Sequence, residues 1–358
     1  MSRGRTAAGW TAVGAAAVYV ALKGDWVAGG TVGISDLGDV PRGDWVMDNL
    51  VTGGLAVVGV AVALAAIRPW GMRVPVWLVA VPMWVGAGLL APFVVLTPAA
   101  AALRAAGWWQ PPPAAPGDPA LRPWTFVVVY GSFVVLGVGL AVALLLYARD
   151  RFRPVVAGTV GQVPRGLTHA AQAPLAWLAA VLAAGLAALR LSWVLGGTAG
   201  LRPGAGRDAW LRLQDTVTAA QFLCAAIGLL VLVHRWGPRR RFAVPLVATW
   251  LGAGGMVAGG FLSMPAILTD GDGGPRWAAQ GQTFTGYATG TFLTCVAGAL
   301  ISVVALFLLV ERGGLIGRGA VGAGGAGQQV PLLVPVGGEP RRDPVPVPGL
   351  GGTAGHRQ

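Results

Sequence analysis

Charge is scarce in this sequence. Of 358 residues only 11% are charged, against about 25% in a typical soluble domain, so a chain this poor in charge belongs in lipid. Cysteine is nearly absent. Cys224 and Cys295 are the only two, and both fall inside apolar runs, which leaves no disulfide framework and no Cys/His spacing for a metal. Their expected role is buried packing. Histidine is limited to His169, His234 and His356, and no cofactor is expected. The chain also lacks an HExxH pair, a G-x-S-x-G elbow with a His partner, a Walker A loop and paired intramembrane carboxylates, so it is read as no enzyme. The glycine-rich stretch 319–327 is no phosphate loop, because no strand precedes it and neither Lys nor a helix follows.

What is present is apolar. Hydrophobic residues make up 55% of the chain and mean hydropathy is +0.66. They come in blocks of about 20, the length that crosses about 30 Å of hydrocarbon. The spans predicted are 7–23, 48–67, 74–96, 124–147, 173–195, 216–234, 243–266 and 286–310. Eight spans put both termini on one side, together with Arg3, Arg5, Arg68, Arg73, Arg149, Arg151, Arg153, Arg165, Arg235, Arg239, Arg240, Arg241, Arg312 and Arg318. The positive-inside rule makes that side the cytoplasm of a plasma-membrane protein. The net charge of +12 is thereby explained by topology. The positive residues form no stripe, and no nucleic-acid partner is expected. Most acids, including Asp25, Asp36, Asp39, Asp44, Asp48, Asp118, Asp208, Asp215, Asp270 and Asp272, lie in the opposite loops. Tryptophans such as Trp26, Trp45, Trp108, Trp109, Trp124, Trp193, Trp210 and Trp277 cluster there too, as markers of the interface.

An internal match organises the chain. Residues 21–34, ALKGDWVAGGTVGI, align without a gap on 188–201, ALRLSWVLGGTAGL. Since the second copy is no signal peptide, the first span is expected to stay in the mature protein. At the same spacing Asp48 falls on Asp215. Further on, WVGAG at 84–88 matches WLGAG at 250–254, and Gly131-Ser132-Phe133 resembles Gly290-Thr291-Phe292. The fold predicted is all-α: a polytopic transmembrane bundle of about eight spans in two parallel four-helix repeats, 1–147 and 173–312. A cytoplasmic linker, 148–172, joins them, and 313–358 reads as a disordered cytoplasmic tail. The loop 97–123, with Pro111-Pro112-Pro113, is long and irregular.

The repeated element names the candidate site: Lys23, Trp26, Gly29, Gly30, Thr31 and Asp48 in one half, and Arg190, Trp193, Gly196, Gly197, Thr198 and Asp215 in the other. Two readings stand side by side. In the mechanical one, Trp anchors the helix end, the glycines supply positive φ and the basic side chain snorkels to water. In the functional one, Lys23 pairs with Asp48 and Arg190 with Asp215, within each half or exchanged across the axis, and the pairs line an outward-facing polar pocket between the halves. Glycines at 86–88, 137–139 and 252–260 imply close helix packing or a locally unwound helix. The polar residues Gln280, Gln282, Thr283, Thr285, Thr289, Thr291 and Thr294 either line a pathway or bond their own backbone.

The W-x-x-G-G-T-x-G element after an apolar span, in an Arg-, Ala- and Gly-rich chain, resembles uncharacterised multi-pass membrane proteins of actinobacteria, some of which look like one four-span half alone. The resemblance is confined to the two motif segments and their flanking spans, and it transfers no site residue. Two functions follow as expectations. One is a small-solute transporter or exporter, with substrate and oligomeric state unassigned. The other is a non-transporting accessory, immunity or lipid-interacting protein, for which membrane lipids are the partners.

Overall fold

The computed structural model describes residues 3–110, 119–163, 165–269 and 280–323. Expectations placed on Pro111–Pro113, Asp118, Asp270, Asp272, Trp277, His356 and the tail from residue 324 lie outside those residues.

A chain in hydrocarbon must satisfy its backbone internally, and apolar stretches without a partner strand do so as helices. Eight long helices result among the described residues: α1 (Arg3–Ala28), α2 (Arg42–Ile67), α3 (Val76–Ala105), α4 (Pro123–Arg151), α5 (His169–Val194), α6 (Ala209–His234), α7 (Ala243–Thr269) and α8 (Phe284–Ala323). Prolines mark three helix starts, where they cost least, while Pro82, Pro92 and Pro98 lie inside α3 and Pro174 inside α5. Pro41 and Pro75 immediately precede α2 and α3, and Pro123 opens α4. Asp208 caps α6, its carboxylate accepting from the Leu211 N–H at 2.8 Å. A two-stranded ribbon, β1 (Ile34–Asp36) against β2 (Ala120–Leu121), ties the α1–α2 loop to the start of α4.

Seven helices are long and apolar enough to cross a bilayer, so the chain is a multi-pass membrane protein with a helical-bundle fold. The eighth, α1, is long enough at 26 residues but not in that set. Its body is largely Ala and Gly, which add little hydropathy, and Arg3, Arg5, Lys23 and Asp25 lie near its ends. It runs antiparallel to α2 and α4, tied to α4 at one end by Arg5 and Asp150 (2.8 Å) and to α2 at the other by Lys23 and Asn49 (2.7 Å). At the far end of the chain, α8 continues helical past residue 313 to Ala323.

The helices pack as two groups of four. In α1–α4, α1 packs on α2 and α4, and α3 on α4; in α5–α8, α5 packs on α6 and α8, and α7 on α8. Each group has its own core. Ala12, Ala16, Met83, Leu140 and Tyr147 belong to the first, and Ala183, Phe222, Leu229, Met256 and Ile301 to the second. The groups meet where α3 lies against α7 and, less extensively, α6. There Trp84 packs on the second core and Trp250 on both.

The seam is built from glycine. A side chain on Gly88 would collide with the Gly255 nitrogen, and a Cβ on Gly254 would stand 2.7 Å from the Trp84 carbonyl oxygen. Backbones this close are the gain that small residues bring to helix pairs in lipid. The Trp84 indole N–H donates to the Trp250 carbonyl at 2.6 Å. Gln221, on α6, spans the crossing by donating to the carbonyls of Gly88 (3.1 Å) and Leu251 (3.3 Å).

Candidate functional site

Both copies of the repeated element fold alike at the end of the bundle opposite the arginine-rich loops. Gly29 and Gly196 have φ of 96° and 98°, a left-handed conformation in which glycine carries no Cβ penalty. The next glycine closes a Schellman cap. The Gly30 N–H donates to the Asp25 carbonyl, and the Gly197 N–H to the Ser192 carbonyl, each at 2.7 Å. A four-residue turn follows, with Ile34 N–H to Thr31 O and Leu201 N–H to Thr198 O, each at 3.0 Å.

Trp26 and Trp193 turn their polar edges into the loops that follow them. Both are buried, and each donates its indole N–H at 2.8 Å to a carbonyl inside its own loop, Val32 and Ala199 respectively. The loops are then bound to the last helix of each group. The Gly33 carbonyl accepts from the Arg122 N–H (2.9 Å) and the Thr125 hydroxyl (2.8 Å). The Gly200 carbonyl accepts from the Thr283 N–H (2.9 Å) and hydroxyl (3.2 Å). The element is thus a clasp joining first, second and fourth helices.

The basic residues sit beneath the clasps. Arg190 pairs with Asp215, Nη1 to Oδ1, at 2.9 Å. Lys23 does not pair with Asp48, contrary to the sequence reading. Its ammonium donates to Asn49 Oδ1 at 2.7 Å, and the Asn49 amide donates in turn to the Trp45 carbonyl at 2.7 Å. Asp48 is exposed. The reason is register. The spacing from Lys23 to the buried face of α2 is one residue longer than that from Arg190 to the buried face of α6, so Asn49, Gly53 and Ala56 occupy the face that Asp215, Ala219 and Phe222 occupy on α6. The Trp84/Trp250 match already carries this shifted spacing, and it is the signal that could have pointed to Asn49.

Arg207 was not foreseen. From the loop before α6 its side chain, 5% exposed, brings Nε within 3.3 Å of Asp215 Oδ2 and donates from Nη1 to the Gln280 carbonyl at 2.7 Å. Burial pulls this guanidinium below its ordinary value, and Asp215 opposes that pull. Trp193 lies against two guanidiniums, 5.3 Å from Arg190 Cζ and 4.7 Å from Arg207 Cζ. In the first half the Lys23 ammonium lies 4.7 Å from the Trp26 ring and 5.3 Å from Tyr19. Each cluster therefore keeps one net positive charge, Lys23 against a neutral amide and two arginines against one carboxylate.

Among the described residues no hydrogen bond, ion pair or ring contact joins the Lys23 cluster to the Arg190 cluster; each finds its partners within its own group. Along α8, Thr294 donates to the Gly290 carbonyl (2.7 Å) and Ser302 to Gly298 (2.6 Å), bonds to their own helix. Gln282 is buried and bonded to Gln280 at 2.9 Å. Compared with protein-family models, curated proteins and solved structures, the chain matches none.

Proposed function

We propose that this is a non-transporting accessory protein of the cell membrane, built by tandem duplication of a four-helix unit, with both termini on the cytoplasmic side. The observation that carries the reading is the seam between α3 and α7. A carrier made of parallel repeats holds its solute near the midplane where the repeats meet. Here that place is occupied by backbone contact at Gly88 and Gly254, covered by Trp84 and Trp250 and bridged by Gln221. The polar groups near the membrane support the same reading, because they bind the clasps of their own halves.

The duplication rests on the matched segments and on the common packing scheme and clasp geometry of the two groups. Orientation rests on the arginines shared by the loops 68–75, 148–168 and 235–242. No catalytic role is assigned to any residue.

Spin labels at Leu37 and Leu195, one exposed loop residue in each half, test this reading by the distance between them. A single narrow distance, unchanged between detergent and bilayer, is expected of a fixed seam. Two populations would indicate halves that rock, as alternating access requires, and would restore the solute-carrier reading.

A further inference from the structure

We infer that the arginine-rich end holds a phosphate group in a site built around Arg312, and that its source is the headgroup of an anionic phospholipid. The inference rests on reading this end as lying at a membrane surface.

Arg312 is 4% exposed and has no carboxylate within ion-pair distance among the described residues. Its Nη2 donates to the Ala157 carbonyl at 2.5 Å and its Cζ lies 4.1 Å from the Phe242 ring centre. Among the described residues, Nε and Nη1 are buried without an acceptor. A buried guanidinium that keeps its charge needs an acceptor for each side of its fork, and this one is held in place with donors left over.

Local acids do not supply the missing charge. Asp150 is bound to Arg5 at 2.8 Å. Glu311, the neighbour of Arg312, accepts from the Thr168 N–H (2.9 Å), the Thr168 hydroxyl (2.7 Å) and Gln172 (3.1 Å). The charge left at this end is strongly positive, and a phosphate answers both the charge and the planar donor geometry of arginine.

The surroundings form a built platform rather than a loose basic surface. Residues 158–160 run beside 240–242, with Val160 N–H to Arg240 O at 2.9 Å and Phe242 N–H to Gly158 O at 3.1 Å. This pairing sets the exposed Arg240 and Arg241 beside the loop that covers Arg312. Gly158 has φ of 90°, and a Cβ there would stand 3.3 Å from Arg312 Nη2. The Gly158 peptide therefore lies close to the guanidinium, with the Gln162 side chain beside it. Basic pockets between helices at a cytoplasmic face are the usual receptors of anionic headgroups.

The test is native mass spectrometry of the full chain in detergent, titrated with phosphatidylglycerol, phosphatidylcholine or inorganic phosphate. Wild type is expected to retain one phosphatidylglycerol at a concentration at least ten-fold below that needed for phosphatidylcholine. R312K, which keeps the charge but not the fork, and R312Q are expected to lose that selectivity. The exposed pair R240Q/R241Q, whose fold does not depend on buried contacts, is expected to weaken it about three-fold or more. Equal retention of both lipids by wild type, or undiminished selectivity in R240Q/R241Q and in whichever Arg312 variant folds, overturns the site. Displacement of phosphatidylglycerol by millimolar inorganic phosphate overturns the lipid assignment in favour of free phosphate. Each failure leaves the seam between α3 and α7 untouched and is thus separable from failure of the accessory reading.

Discussion

Trp84 and Trp250 meet across the seam of the bundle, their ring centres 6.1 Å apart and the Trp84 indole bonded to the Trp250 carbonyl. They hold the same position in the two matched WxGAG segments, as do Gly88 and Gly254, which also meet. Contact between equivalent residues is what a twofold axis produces at an isologous interface. A seam made this way leaves little freedom, which can be measured.

Replacing Gly88 by Ala is expected to cost about 1–3 kcal/mol, the range for overpacking a close-packed contact, because the new methyl meets the backbone of Gly254 and Gly255. Gly185, within α5, has open space at its Cβ position, and Gly185→Ala is expected to be neutral or slightly stabilising. Thermal unfolding of the two variants in the same detergent compares them directly. Equal effects would mean that the seam is not close-packed.

The register of α2 gives a second contrast. Asp215→Asn leaves Arg190 and Arg207 without their carboxylate and is expected to destabilise by about 3–5 kcal/mol. Asp48→Asn alters an exposed side chain and is expected to stay within about 0.5 kcal/mol. Asn49→Ala removes the amide that receives Lys23 and is expected to cost about 1–3 kcal/mol. A large effect at Asp48 with none at Asn49 would contradict the register.

Much of this was legible in the sequence, and the exceptions have physical causes. Helix number and the clasp glycines follow from apolar block length and from φ requirements that only glycine meets cheaply. The Lys23 partner was misread because a single-residue difference in spacing rotates a helix face by about 100°. Arg207 escaped because a loop residue carries no periodic signal, and its approach to Asp215 depends on how the loop folds back. Trp26 and Trp193 looked like interfacial anchors since depth is readable from sequence and the direction of an indole N–H is not.

The clasps predict a third difference. Trp193→Phe keeps a ring against the two guanidiniums but leaves the Ala199 carbonyl without its donor, at an expected cost of about 1–3 kcal/mol. Gly196→Ala places a Cβ at φ 98° and is expected to cost about 1–2 kcal/mol. Hydrogen exchange of residues 195–201 should rise in both variants while the α6 core stays protected. Uniform loosening would show that the clasp is not a local unit.

The central claim, that the two halves meet in a closed seam, is tested most directly by solvent access to position 221. In a Cys224→Ser, Cys295→Ser background, Gln221→Cys is exposed to a membrane-impermeant maleimide from each side of a sealed vesicle. The account predicts no labelling from either side in the folded protein and full labelling after denaturation. Labelling from one side, or from both in turn, would contradict it, because water would then reach the place where Gly88 and Gly254 are in contact.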